Sequence, residues 1–226
     1  MERVAARTED RRSTRTRAAL RQALADEIEA TGDLSRVTVT AVTERAGVTR
    51  RTFYSHFRDI PDLVAQVEDE CVREVSVLVE RLAATHLDEL TEVIGRFEPC
   101  PGSQELLSYF KERGSYLRPL LGEGGDPAFQ GKLKRMAFDT VASRALDGID
   151  ARAVGPFFDY YLTFVISAEV GVLLRWLQGG MREGVRQMAA IMTALSFVRP
   201  GDLYDKPFEL DVASFVSAVL VSGEDM

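Results

Sequence analysis

The stretch 38–63, TVTAVTERAGVTRRTFYSHFRDIPDL, decides how the rest of the chain is read. It divides at Gly47 into two short amphipathic segments. Val39, Val42, Ala46, Val48, Phe53 and Phe57 can meet on one side and close a small core. Gly47 suits a turn between two helices because glycine takes a left-handed backbone at little steric cost. Ala41 and Ala46 are small enough to let the two helices approach closely. The second segment, about Arg50 to Phe57 behind Thr49 as N-cap, is short, basic and aromatic. A helix of that kind, held across a partner helix, can enter the major groove of DNA.

The side chains left outside the small core fit that use. The hydroxyls of Thr38, Thr40 and Thr49 stand near helix starts, where exposed N–H groups also bind phosphate. Arg50 and Arg51 can take a guanine edge in bidentate fashion or a phosphate. The Thr52 methyl can touch a thymine methyl. Tyr54 and His56 can donate to phosphates, with Ser55 between them. A charge run alone would read as a solvated helix face. The combined spacing of glycine turn, apolar core and basic-aromatic helix favours DNA.

Charge is distributed to match. The 226 residues carry a formal net charge of −7, so no global basic signature is present. Residues 1–58 hold 12 Lys/Arg against 8 Asp/Glu, a net of +4, and the remainder holds 16 against 27, a net of −11. A basic head on an acidic body localises anion binding to the head. The apolar share of 46 % and charged share of 28 % are ordinary for a globular chain able to bury a sizeable core.

Outward from the quoted stretch, the periodicity predicts an all-α chain. Residues 1–12 read as a flexible basic arm, and a first helix as about Ser13 to Ala30, with Ser13 or Thr14 as N-cap and Gly32 beyond its end. Its apolar face is Leu20, Ala23, Leu24 and Ile28. The second helix starts near Thr40 and ends at Ala46. A fourth, from Asp59 or Ile60 with Pro61 in its first turn, carries the stripe Val64, Val67, Cys71, Val75, Leu78 and Leu82 and links head to body. Residues 98–102 break the chain. Helices follow at about 103–113, 115–121, 127–146, 151–178 and 181–197, with the glycine-rich run 122–126 as a loop. Phe208 to Val221 forms a last helix or a strand. The head is thus about 13–60 and the body 61–226.

Other function classes lack their residues. Cys71 and Cys100 make neither a disulfide framework nor a metal motif, and Cys71 reads as a buried small hydrophobe. His56 and His86 lie in different elements with no cysteine or carboxylate cluster at ligand spacing. No phosphate loop or nucleophile elbow is present, so no catalytic residue, metal or cofactor is expected. The arginine-rich start is not followed by an apolar run, unlike a secretory signal. The most apolar segment, 157–177, is interrupted by Asp159, Glu169 and Arg175, so we expect a cytoplasmic protein with no membrane partner.

The head, about residues 13–63, resembles the DNA-binding domain of the TetR family of transcriptional regulators. The resemblance rests on Val39, Val42, Ala46-Gly47-Val48, Thr49, Thr52-Phe53-Tyr54, His56-Phe57 and Leu63. Residues 120–192, with LLGEGGDPAF and YYLTFVISAEVGVLLRWLQGGM, are similar to one C-terminal class of such regulators. The resemblance implies an all-helical homodimer that sets two recognition helices in successive major grooves of a roughly palindromic operator. It implies a repressor released by a small-molecule effector. The alternative is a co-regulator of the same fold acting through a protein partner. One position departs from the family pattern: a phosphate-holding lysine common in the family is replaced by Ile60, with Arg58 or the arm residues Arg11, Arg12, Arg15 and Arg17 as candidates to replace it.

The resemblance also places the dimer interface on helices 151–178 and 181–197, where Ser167, Ala168, Gly171 and Val172 could pack against Ala189, Met192 and Leu195. Tyr109, Phe110, Met136, Phe138, Phe158, Tyr161 and Phe164 are candidates to line an effector pocket, although each also reads as ordinary core. Glu169 interrupts an apolar helix, so it pairs with an arginine, lies at an interface or meets a polar ligand, with pairing the first expectation.

Overall fold

No glycine or proline interrupts residues 2–31, and they form one helix, α1 (Glu2–Thr31). The computed structural model describes residues 2–85, 92, 93, 96, 98–145 and 151–196. His86 and the segment 208–221 lie outside the described residues. The expected caps Ser13 and Thr14 sit inside α1, because Glu, Arg and Ala before them favour helix continuation over a break. The helix ends where expected, at Gly32 with φ +68°.

A 3-10 turn (Leu34–Arg36) that the sequence did not signal leads into α2 (Val39–Ala46), capped one residue earlier than expected by Thr38. Next come α3 (Arg50–Tyr54) and α4 (Ile60–Ala83). Helix α3 stops short of Phe57. The Ser55 hydroxyl takes the Thr52 carbonyl at 2.6 Å, a local bond that competes with helix continuation. Asp59 caps α4, its side chain accepting from Asp62 N at 2.8 Å. The body holds α5 (Ser103–Glu112), α6 (Gly114–Leu121), α7 (Pro127–Ala145), α8 (Ala151–Gln178) and α9 (Val185–Leu195). The described residues are therefore all-α, with nine α-helices and no strand among them. Helix α9 begins at Val185 rather than Met181 because Gly180 (φ 85°) and Met181 (φ 52°) are left-handed and cannot continue a right-handed helix.

The 157–178 part of α8 is, by length and composition, apolar enough to cross a membrane, so its three charges interrupt it less than expected. It packs on α6 and α7 through one face, which buries Leu162, Ile166, Leu173, Trp176 and Leu177, and leaves much of its surface exposed.

The core is continuous from head to body. Leu20, Leu24, Val42, Phe53 and Leu63 of the head join Cys71, Phe110, Leu117, Phe129 and Leu177 of the body in one buried cluster. Helix α1 packs on α2 and on α6, and α4 packs on α5 and α7. Polar clamps reinforce the junction. Ser115 Oγ donates to Gln22 Oε1 at 2.8 Å, Arg118 pairs with Glu29, and the Arg21 guanidinium lies 4.2 Å over the Tyr116 ring. Leu34 N donates to Gly124 O at 2.7 Å. The glycine-rich loop 122–126 is thus a docking contact. A Cβ on Gly124 would come within 2.5 Å of Gly32 O.

Within α4, Cys71 is buried as expected, and burial pushes its thiol up to about 11. One turn earlier, Glu68 is wholly buried and receives Lys132 Nζ of α7 on Oε2 at 2.6 Å. Burial pushes the Glu68 carboxyl up to about 7 against the pull of the Lys132 ammonium, and Asp126, in the loop before α7, pushes the same way.

Two outcomes follow from this junction. Gly124→Ala should destabilise the protein by about 1–3 kcal/mol in urea unfolding, because backbone must move to admit the methyl. The second concerns pH. The raised Glu68 carboxyl contributes stability that is full below its ordinary value of 4.5 and lost as pH rises through about 7. Lys132, held above its ordinary value by Glu68, stays charged across that window, and the 3-10 turn faces the site with uncharged Ser35. Glu68→Gln should therefore gain in melting temperature relative to the wild type between about pH 5 and about pH 8, read by circular dichroism.

Candidate nucleic-acid interface

A five-residue helix has little stability of its own, so α3 takes its position from the core. Phe53 is fully buried and Phe57 nearly so, with ring centroids 5.7 Å apart. Gly47, at φ +65°, turns the chain from α2 toward α3 in the left-handed conformation that the sequence required. Two threonines fix the helix starts. Thr38 Oγ1 accepts from Ala41 N at 3.2 Å and Thr49 Oγ1 from Thr52 N at 3.1 Å. Caps of this kind contribute about 1 kcal/mol each.

Opposite Phe53 the surface is basic and hydroxyl-rich. Arg50 and Arg51 are exposed. The Arg50 guanidinium donates to Thr40 Oγ1, which ties the start of α3 to the start of α2. The Thr49 and Thr52 hydroxyls lie 2.9 Å apart. Tyr54 is 59 % exposed and stands edge-on to Phe53, its centroid 5.5 Å away. The structure thus gathers Thr38, Thr40, Thr49, Arg50 and Thr52 at the two helix starts. Ser55 is exposed in the turn after α3, and His56 is half-buried beside the Phe57 ring at 6.1 Å. Donors on helix N-termini and a fork-shaped cation form a surface that can take phosphate oxygens and reach a base edge.

The rim carries further cations. Arg17, expected in or near an arm, lies within α1 and sits 5.2 Å over the Phe57 ring, its guanidinium donating to Gln66 Oε1 at 2.6 Å. Ile60 is 8 % exposed and belongs to the core, so it offers nothing to a phosphate. Neighbouring Arg58 is exposed and held by Asp62, which accepts from its backbone N at 2.8 Å and its guanidinium at 3.3 Å. That backbone N–H, chief among its partners, holds the Asp62 carboxyl below its ordinary range. Arg45 is tied back to Glu27 at 2.5 Å.

The seven aromatic and methionine residues expected to line an effector pocket do not converge. Phe110 is fully buried core, and Tyr109 lies under the Arg113 guanidinium at 4.0 Å. Met136 and Phe158 are half-buried, as is Phe138, while Tyr161 is half exposed and Phe164 is mostly so. Of the seven, only Tyr109 lines one of the two cavities that stand out. It is an open groove of ≈ 490 Å³ beside Leu78, Gln104 and Glu112. Aromatics at helical spacing occupy every side of these helices, so periodicity alone did not separate inward from outward. Glu169 accepts from the Ser196 hydroxyl at 2.7 Å, and among the described residues no arginine pairs with it. Its carboxyl is raised by burial.

Helix α8 carries an exposed row at helical spacing: Tyr160, Phe164, Ala168, Gly171 and Arg175. Tyr160 and Phe164 are each 71 % exposed. Ile191 and Leu195 of α9 are exposed as well, whereas Ala189 is buried core and Ser167 and Val172 are half-buried. Two aromatics this exposed on one helix face leave a large apolar area uncovered in the single chain. Tyr160, which the sequence did not single out, is among the exposed residues of α8.

The sequence did not flag Glu68 either. The acidic run around it reads as solvated, yet Val64, Glu68 and Cys71 share one apolar stripe at steps of four and three, and that spacing was the available signal.

Comparison with known families agrees with this geometry. The family described as "Bacterial regulatory proteins, tetR family" matches residues 23–67, which span most of α1, the helix pair α2–α3 and the start of α4. The family described as "Transcriptional regulator C-terminal region" matches residues 98–197, which hold α5 to α9. No curated protein matches the sequence. With both halves matched and the helix-turn-helix formed as its residues require, the chain belongs to the TetR family of transcriptional regulators and is a DNA-binding protein.

Proposed function

We propose that the protein is a homodimeric repressor that binds a roughly palindromic operator and is released by a small-molecule effector. The observation that carries the DNA contact is the exposed surface at the starts of α2 and α3, where Thr40 holds Arg50 and Thr49 meets Thr52. In this reading Arg50 and Arg51 read base edges, while Thr38, Thr40, Thr49, Tyr54, Ser55 and His56 position the phosphate backbone and Thr52 touches a thymine methyl. The exposed row on α8 with Ile191 and Leu195 of α9 supports pairing through these helices. A dimer would set two copies of α3 one helical turn of DNA apart. An effector that binds one spacing better than the other would shift the dimer away from the operator. The protein acts without catalysis or cofactor, in the cytoplasm where its DNA lies.

Arg50→Ala and Arg51→Ala should each weaken operator binding by roughly 10- to 100-fold while leaving non-specific binding less affected. Gel-shift competition against random duplex reads both quantities, and unchanged selectivity in both variants would show that α3 does not read the bases. Phe164→Glu should convert a dimer to a monomer in sedimentation at micromolar concentration, since it places a charge in the centre of an apolar contact. A wild-type protein that sediments as a monomer would remove the pairing and the palindrome with it.

A further inference from the structure

The junction between head and body encloses a second cavity, of ≈ 290 Å³. Val37, Ile60 and Val64 form its apolar wall on the head side, and Glu68, Asp126 and Lys132 form its polar wall. The polar wall is unbalanced. Above about pH 7, where Glu68 is ionised, two carboxylates, Glu68 and Asp126, face one ammonium, and Lys132 Nζ is engaged by Glu68 Oε2 at 2.6 Å. Glu68 is 0 % exposed, and its other oxygen, Oε1, is buried with no hydrogen-bond partner. A buried carboxylate oxygen without a donor loses its hydration uncompensated, and proteins leave few of them. What the site lacks is therefore a donor carrying positive charge next to hydrocarbon surface.

We propose that this cavity binds a small organic cation, a protonated primary amine whose ammonium donates to Glu68 Oε1 and lies beside Asp126 while its hydrocarbon part packs on Val37, Ile60 and Val64. The site lies apart from the aromatic residues of α5 and α8 in which an effector pocket was expected. Its walls come from both sides of the junction, the 3-10 turn and the start of α4 on one and the start of α7 on the other. An occupant consequently favours one setting of the head against the body. Only this last step rests on the repressor reading; ligand binding stands or falls without DNA.

The test uses the full chain without DNA and three probes of one shape: cyclohexylammonium chloride, cyclohexanol and sodium cyclohexanecarboxylate, at matched ionic strength. The amine should raise the wild-type melting temperature by about 2–4 °C, the alcohol by less than half as much and the carboxylate not at all. Glu68→Gln, which keeps the shape and removes the charge, should abolish the preference for amine over alcohol. If Glu68→Gln does not fold, Ala65→Leu fills the same cavity from its apolar side and should remove the amine shift. Equal shifts from amine and alcohol in the wild type would overturn the site, as would an amine preference that survives in the folded variants. A gel shift with the amine present then reads the coupling separately: reduced operator affinity supports the link between cavity and head, and unchanged affinity overturns that link alone.

Discussion

Burial of Phe53 is the interaction on which the DNA-facing surface depends. Helix α3 has five residues, too few to hold a helical shape in water, and only one side of it reaches the core. Phe53 supplies that side, and with Phe57 it fixes the rotation of α3 about its own axis. The same rotation turns Arg50, Arg51 and Tyr54 to solvent. Removing an aromatic ring from such a site costs about 3–5 kcal/mol, far more than any single cap at the surface returns. The threonine caps then refine what the ring has set. They fix where each helix begins, and the Thr40–Arg50 contact ties one start to the other.

The head is not a separate bead on the body. Helix α1 belongs to both, giving Leu20 and Leu24 to the head and meeting α6 through Gln22, Glu29 and Arg21. Helix α4 does the same from the other side, with Leu63 in the head and Glu68 against Lys132 of α7. The loop at Gly124 closes the third side by hydrogen bonding the 3-10 turn. Packed contacts of this kind transmit rigid-body shifts and absorb little of them. Two long helices and one short loop therefore join α3 to the body.

Much of this was legible in the sequence because it depends on local rules. Gly47, the cap Thr49, Pro61 in the first turn of α4 and the stripe from Val64 to Val75 each act within one or two turns of chain, and each was found where its spacing put it. The exposed residues of α3 were equally readable, since they are whatever the core spacing of Phe53 and Phe57 leaves outside. Features set by distant parts of the chain were not. The docking of Gly124 on Gly32 joins residues far apart in sequence, and the glycines there read only as a linker. The same holds for Glu68, whose partner Lys132 lies 64 residues away. Glu169 shows the limit from the other direction: its need for a partner was legible, but the partner, the Ser196 hydroxyl rather than an arginine, was not.

The continuous core has a consequence for portability. A helix-turn-helix head is often regarded as a module that could be cut out and joined to another body. Here the cut would pass through packed side chains. A transplanted head would strip α1 of α6, the helix against which Gln22 and Glu29 are bonded. It would also leave Arg21 without Tyr116 and the 3-10 turn without the Gly124 carbonyl. A working chimera would have to carry α6 and the 122–126 loop along with the head. The smallest exchangeable unit of this protein is thus larger than its DNA-binding motif, and its natural seam lies beyond the loop, inside the body.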